Sequence, residues 1–115
     1  MITKRTFLNQ NLNRARGREN AHKITVTLDE LEQIGYSQNW KCALTGKDLE
    51  FIRGGTNWGG KWCNPNSCTI DRIDNNKGYT RDNVQLVTWY VNKVKGHLDN
   101  DEFIKLCRTV NKYVV

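Results

Sequence analysis

Apolar residues recur along the chain with two different periods, and the changes of period divide it into elements. Phe7, Leu8, Leu12 and Ala15 fall at helical spacing, with Lys4, Arg5, Arg14, Arg16 and Arg18 on the other faces. This pattern predicts a basic amphipathic helix from about Thr3 to Arg18, ending near Gly17. Thr27 followed by Glu30 has the spacing of a capping box, in which each side chain accepts from the other residue's free backbone N–H. A second helix is expected to start there, carry the stripe Leu28, Leu31 and Ile34, and stop at Gly35. Residues 42–66 instead mix Gly46, Gly54, Gly55, Gly59 and Gly60 with Phe51, Trp58 and Trp62, a composition of turns and a loose hairpin. Residues 68–71 and 84–87 read as short strands joined by the polar segment 75–83, and they are expected to pair antiparallel. Thr88 then starts a short helix through Trp89, Val91, Asn92 and Lys95, with Gly96 as its stop. Asp99 and Glu102 form another capping box, opening a terminal helix over 99–115. Its stripe Phe103, Leu106, Cys107, Val110 and Val114 is expected to pack back on the core.

The 115 residues suffice for one domain, expected to span 1–115 with a basic arm at 1–23, and no repeat or linker divides them. Mean hydropathy is −0.73, polar but compatible with a modest core. No apolar run approaches the roughly 20 residues of a membrane span, and the opening Met1-Ile2-Thr3-Lys4-Arg5 lacks the apolar stretch of a signal peptide. A soluble, cytoplasmic protein is therefore expected, with no membrane partner.

Charge changes the picture more. Eighteen Lys and Arg face twelve Asp and Glu, a net charge of +6. Between Met1 and Lys23, Lys4, Arg5, Arg14, Arg16, Arg18 and Lys23 are opposed only by Glu19. Clustering of this kind suits nucleic-acid phosphate; the plainer reading is a solvated helix that aids solubility. Cys42, Cys63, Cys68 and Cys107 are even in number but irregular in spacing, and nothing marks the chain as secreted, so neither disulfides nor a structural Zn²⁺ site are expected. Ordinary, mostly buried thiols are the expectation, with a site from Cys42, Cys63, Cys68 and either Cys107 or a His left open.

Chemistry concentrates in 25 residues: Asp71-Arg72-Ile73-Asp74, Gly78-Tyr79, Asn83 and Asn92-Lys93-Val94-Lys95. Asp71 on a strand and Asn92 on a helix can give oxygen ligands to a hard divalent ion whose shell a phosphate completes. Arg72, Lys93 and Lys95 can offset charge building on phosphate oxygens.

The run Thr69-Ile70-Asp71-Arg72-Ile73-Asp74-Asn75-Asn76-Lys77-Gly78-Tyr79, through Asn83-Val84-Gln85-Leu86-Val87, to Asn92-Lys93-Val94-Lys95 resembles the HNH endonucleases. Residues 38–46, Gln-Asn-Trp-Lys-Cys-Ala-Leu-Thr-Gly, are similar to the segment entering the finger in small HNH proteins of phages and mobile elements. Together the match covers residues 38–95. The resemblance implies an α+β fold in which a ββα-metal finger, a short antiparallel hairpin plus helix over 66–96, is surrounded by the basic N-terminal helix, the second helix and the C-terminal helix. It also implies that Asp71 and Asn92 hold Mg²⁺ or Mn²⁺ and that Asn83 pins the long loop so that the base stays oriented. Lys93 and Lys95 become phosphate contacts, with Lys4, Arg5, Arg14, Arg16 and Arg18 as the DNA-binding arm.

The chain departs from the family where Arg72 takes the place of the His that activates water, because a guanidinium stays protonated and is a poor base. Arg72 is then expected to stabilise the phosphate. Tyr79 leads the candidates to position or deprotonate the water, ahead of metal-activated water and of His22 or His97. Asp74 is either a salt-bridge partner for Arg72 or a turn residue. Trp40, Trp58, Trp62 and Trp89 read as core and loop packing. The implied function is a metal-dependent endonuclease on double-stranded DNA, of phage, mobile-element, homing or restriction type, leaving 5′-phosphate and 3′-hydroxyl ends. A monomer would nick and a homodimer would cut both strands. The rivals are an inactive nucleic-acid-binding module of the same fold and a zinc-stabilised interaction domain.

Overall fold

The computed structural model describes residues 2–17, 23–54, 57–58, 61–62 and 64–114, with 57–58 and 61–62 as backbone only. Helix α1 spans Lys4–Gly17 and buries the apolar stripe read from its spacing, Phe7, Leu8, Leu12 and Ala15. Helix α2, Leu28–Ser37, begins at Thr27, whose hydroxyl accepts from the Glu30 N–H at 3.1 Å while Glu30 accepts from the Thr27 N–H at 2.9 Å. It does not stop at Gly35. The chain turns back at Asn39 and Trp40, both with φ of 54°, and lays the indole of Trp40 on Gly35, where any Cβ would overlap the ring. Glycine sits there to admit a neighbour, and the helix runs on for two residues.

Strands β1 (Asn57–Trp58) and β2 (Lys61–Trp62) form a small antiparallel hairpin. Strands β3 (Cys68–Arg72) and β4 (Val84–Thr88) form a second one, with Cys68 opposite Thr88 and Asp71 opposite Gln85. All five residues of β4 are buried. Its open edge is closed by Gln38, whose side chain accepts from the Leu86 N–H at 3.0 Å and donates to the Leu86 carbonyl at 2.9 Å. A 3₁₀ turn, Arg81–Asn83, precedes β4, and helix α3, Trp89–Lys95, follows it directly. The Thr88 hydroxyl caps α3 by accepting from the Val91 N–H, and Gly96, with φ of 56°, ends it. Helix α3 packs on both β3 and β4, so strand, strand and helix form one unit.

Phe7, Leu8, Leu12, Val26, Leu31 and Leu86 are at most 1% exposed and make the centre of the core, which brings α2 against β4 and α1 against α2 and β3. Full burial of side chains this size contributes about 1.5–3 kcal/mol each. Phe51 stands edge-on between Phe7 and Trp40, with ring centroids 5.6 Å from each.

Helix α4, Asn100–Val114, forms the expected capping box, with Glu102 N donating to Asp99 Oδ1 at 2.8 Å and Asp99 N to Glu102 Oε1 at 3.2 Å. The expectation that it packs back on the core fails. Phe103 reaches the core, but every residue from Lys105 to Val114 is exposed, Tyr113 by 90%. Among the described residues the helix is anchored only at its first turn, where the Asn100 N–H donates to the Ile73 carbonyl at 2.9 Å. The observed architecture is α+β. Among the described residues, no helix is long and apolar enough to cross a membrane.

Candidate phosphate and metal site

A groove of about 660 Å³ lies between α1, β3 and α3. Asn11 and Arg14 line it from α1, Asp71 and Arg72 from β3, Asn92 and Lys93 from α3, with Tyr79, His97 and Arg53 from the connecting segments. Among the described residues that line it, four are cations (Arg14, Arg53, Arg72 and Lys93) and only Asp71 is an acid.

Pairing of Asp71 with Gln85 in the hairpin turns both side chains toward α3. Two consecutive contacts fix the helix over that face. Asn92 Nδ2 donates to Thr69 Oγ1 at 3.3 Å, and one turn later Lys95 Nζ donates to Asp71 Oδ2 at 2.7 Å. The same ammonium donates to the Arg72 carbonyl at 2.7 Å. Gln85 Nε2 adds a second donor to Asp71 Oδ2 at 3.0 Å, and Gln85 is itself held by a reciprocal amide pair with Asn100 at 2.8 and 3.0 Å. The Lys95 and Asp71 side chains are 1% and 8% exposed.

Lys95 therefore does not occupy the phosphate-contacting place expected of it. A carboxylate this buried needs a cation and hydrogen bonds, and the lysine stem is long enough to carry the charge inward. The sequence put Asn92 and Lys95 correctly one turn apart; it carried no signal that the lysine would turn in.

Asn83, 5% exposed, binds the loop at three points. Its Oδ1 accepts from the Asp74 N–H at 2.9 Å, and its Nδ2 donates to the carbonyls of Asp74 and Gly78 at 3.0 and 2.9 Å. Gly78 passes so close to the Lys23 carbonyl that a Cβ would overlap it. Arg72 turns into the same loop, donating to the Asn75 carbonyl at 3.0 Å, to Asn75 Oδ1 at 2.8 Å and to the Lys77 carbonyl at 3.2 Å. Asp74 is not its partner; the Asp74 carboxylate closes the turn by accepting from the Asn76 N–H at 2.9 Å. The Arg72 guanidinium stands 5.1 Å from the centre of the half-buried Tyr79 ring.

The basic arm divides. Arg14 lines the groove and Arg16 is exposed. Arg5 is paired with Asp29 at 2.9 Å and with Glu32, whose hydrogen bonds raise its pKa, so it is committed to α2 rather than facing an open phosphate track. Lys4 lies over the Trp40 and Phe51 rings at 5.3 and 5.6 Å, and Lys93 over Trp89 at 5.6 Å. His97 is exposed at the groove. Arg18, His22, Cys63 and the side chains of Trp58 and Trp62 lie outside the described residues. Arg53 is the groove cation that sequence reasoning missed, since it stands alone in a glycine-rich segment without a charge cluster or periodic pattern around it.

Cys42 and Cys68 are free and buried, and Cys107 is exposed on α4. Burial pushes the Cys68 thiol up to about 12. Burial acts the same way on Cys42, but hydrogen bonds from the Thr45 side chain and from the backbone of Thr88, Leu44 and Thr45 outweigh it and leave that thiol below its ordinary value. Among the described residues, no three His, Cys, Asp or Glu side chains come together as a metal cluster.

Oxygen donors for a hard ion remain. Asp71 Oδ2 and Asn92 Nδ2 carry the hydrogen bonds just described, which among the described residues leaves Asp71 Oδ1 and Asn92 Oδ1 as acceptors. Two such oxygens fit Mg²⁺ or Mn²⁺, which keep several waters and share phosphate oxygens. An ammonium 2.7 Å from the same carboxylate would weaken its hold on such an ion.

No protein-family model, curated protein or solved structure matches the chain.

Proposed function

We propose that the protein is a metal-dependent DNA endonuclease of the HNH type, with β3, β4 and α3 as its ββα-metal finger. The observation that carries this reading is the groove, in which Asp71, Arg72, Tyr79 and Asn92 meet under an excess of cationic side chains. A polyanion is the complement of such a surface, and a carboxylate beside an amide oxygen is a donor set for a phosphate-bound divalent ion.

In this reading Asp71 and Asn92 would hold the ion, which would supply positive charge to offset the negative charge that builds during phosphoryl transfer. Arg72, held in one orientation by Asn75 and Lys77, presents a fixed positive charge to the phosphate. The Tyr79 hydroxyl orients the attacking water, whose proton passes to solvent, and the departing 3′ oxygen takes a proton from solvent. Asn83 acts at one remove, since it fixes the loop between Arg72 and Tyr79 through Asp74 and Gly78. In-line attack leaves a 5′-phosphate and a 3′-hydroxyl, and one groove cuts one strand of the duplex.

A second reading has its own observation. Lys95 already neutralises Asp71, and Arg72 stands where a base is needed, which favours an inactive nucleic-acid-binding module. Supercoiled plasmid incubated with wild type, Asn92→Ala and Tyr79→Phe, each with Mg²⁺, Mn²⁺ or EDTA, decides between them. The nuclease nicks only with metal and loses nicking in Asn92→Ala. Tight binding by wild type without cleavage on plasmid, phage or branched DNA gives the second reading.

A further inference from the structure

Arg53 is held in place without being neutralised. Its Nε donates to Gln10 Oε1 at 3.1 Å, and its Nη2 to Asn11 Oδ1 at 2.9 Å and to the Phe7 carbonyl at 3.4 Å. The guanidinium carbon stands 4.1 Å from the centre of the Phe7 ring. Asn11 is itself fixed, its Nδ2 donating to the Cys68 carbonyl at 3.0 Å. Every one of these partners is neutral, and among the described residues no carboxylate lies within salt-bridge distance of Arg53. Arg14 is near enough that, together with the larger effect of burial, it lowers the Arg53 pKa. The salt-bridged cations among the described residues, Arg5, Lys41 and Lys95, each have their acid. Arg14 and Arg53 are two like charges on one groove wall with none among the described residues.

We infer that Arg53 and Arg14 form a seat for a backbone phosphodiester on the α1 wall of the groove, separate from the phosphate over Asp71 and Asn92. A guanidinium whose plane is set by two amides and an aromatic ring has lost most of its rotamer freedom before the ligand arrives, and its Nη1 edge remains for phosphate oxygens. The seat sets where a strand enters the groove, and it rests on the proposal that the groove takes DNA.

Its test is equilibrium binding of the full chain to a short labelled duplex in EDTA, across a salt series, for wild type, Arg53→Gln, Arg53→Lys and Arg14→Gln. Loss of one phosphate contact lowers the slope of log affinity against log salt by about 1. Arg53→Gln and Arg14→Gln are each expected to show that drop, while Arg53→Lys keeps the slope and loses severalfold in affinity with its fork. Arg14 is exposed and its change leaves the core untouched, so if Arg53→Gln unfolds by circular dichroism, Arg14→Gln and Arg53→Lys decide. Slopes that stay at the wild-type value in folded variants overturn the seat, even where wild type nicks plasmid. Wild type that binds with the expected slope losses but never cuts removes the nuclease reading and leaves the seat standing. Wild type that binds no duplex overturns both.

Discussion

Asp71 and Arg14 line the same groove and live under opposite conditions. Around Asp71 the polar side chains are buried or half-buried and matched: Lys95, Gln85 and Asn100 form a closed set of donors and acceptors around its Oδ2, and Asn83 does the same for the loop below. At the rim Arg14 and Lys93 are exposed, Asn92 makes one long hydrogen bond, and charge of one sign accumulates. Desolvation explains the difference. A polar group in the interior must be partnered or it destabilises the fold, whereas a polar group at the rim can wait for a ligand. Removal of a buried group should therefore be read in stability, and removal of a rim group in binding and cleavage.

The sharpest attempt to break that contrast is Lys95→Met, which keeps the stem and deletes the charge. It strands the Asp71 carboxylate in the interior and should cost about 3–5 kcal/mol in denaturant unfolding. Adding Asp71→Leu removes the stranded charge and should recover most of the loss, because a buried pair replaced by apolar groups is close to neutral. A loss below about 1 kcal/mol in Lys95→Met would mean that water from the groove solvates the Asp71 carboxylate well enough to replace the lysine.

Asn83→Ala comes next. Three backbone groups, the Asp74 N–H and the carbonyls of Asp74 and Gly78, lose their partner, and about 2–4 kcal/mol should go with them. Asn83→Asp separates shape from chemistry: the oxygen can still accept from Asp74, but a carboxylate cannot donate to either carbonyl. It should therefore fall between wild type and Asn83→Ala.

Cys68 extends the comparison to pH. Its pKa is raised by burial to about 12 from an ordinary 9.0, so the folded state resists forming the thiolate that the unfolded chain forms freely. The stabilisation is whole below pH 9 and is lost as pH rises from 9 toward 12, by about 1.4 kcal/mol per unit. Unfolding of wild type and Cys68→Ala across that window should diverge by this slope. Thiol reagents at neutral pH should reach exposed Cys107 in the folded protein and leave Cys68 until it unfolds.

Local signals made most of the fold legible. Capping boxes at Thr27 and Asp99, the stripe of α1, the paired strands and the Gly96 stop depend on neighbours within a few residues, and each lies where its spacing put it. What stayed hidden depends on partners far along the chain. Gly35 reads as a helix stop until Trp40 is seen lying on it. The α4 stripe has the period of a buried helix, yet amphipathic spacing says only that one face is apolar and does not supply the surface that would cover it. The candidate site divides in the same way. Asp71, Arg72, Tyr79 and Asn92 are close in sequence and meet in the groove, while the inward turn of Lys95 and the arrival of Arg53 depend on contacts 24 and 42 residues away.

Asn92 gives the smallest expected change in stability and tests the contrast most directly. It sits one turn before Lys95 on the same helix face, but its side chain is half-buried and its one hydrogen bond among the described residues, to Thr69, is 3.3 Å long. Thr69 does not depend on it, because that hydroxyl also donates to the Val87 carbonyl at 3.1 Å. Alanine at position 92 favours the helix more than asparagine does, which offsets part of a bond already at the long end of the range. Asn92→Ala should therefore unfold within about 0.5 kcal/mol of wild type while plasmid nicking is lost. A loss of several kcal/mol would place Asn92 with Asp71 and Lys95 in the closed set, and its effect on cleavage would then report folding rather than the groove.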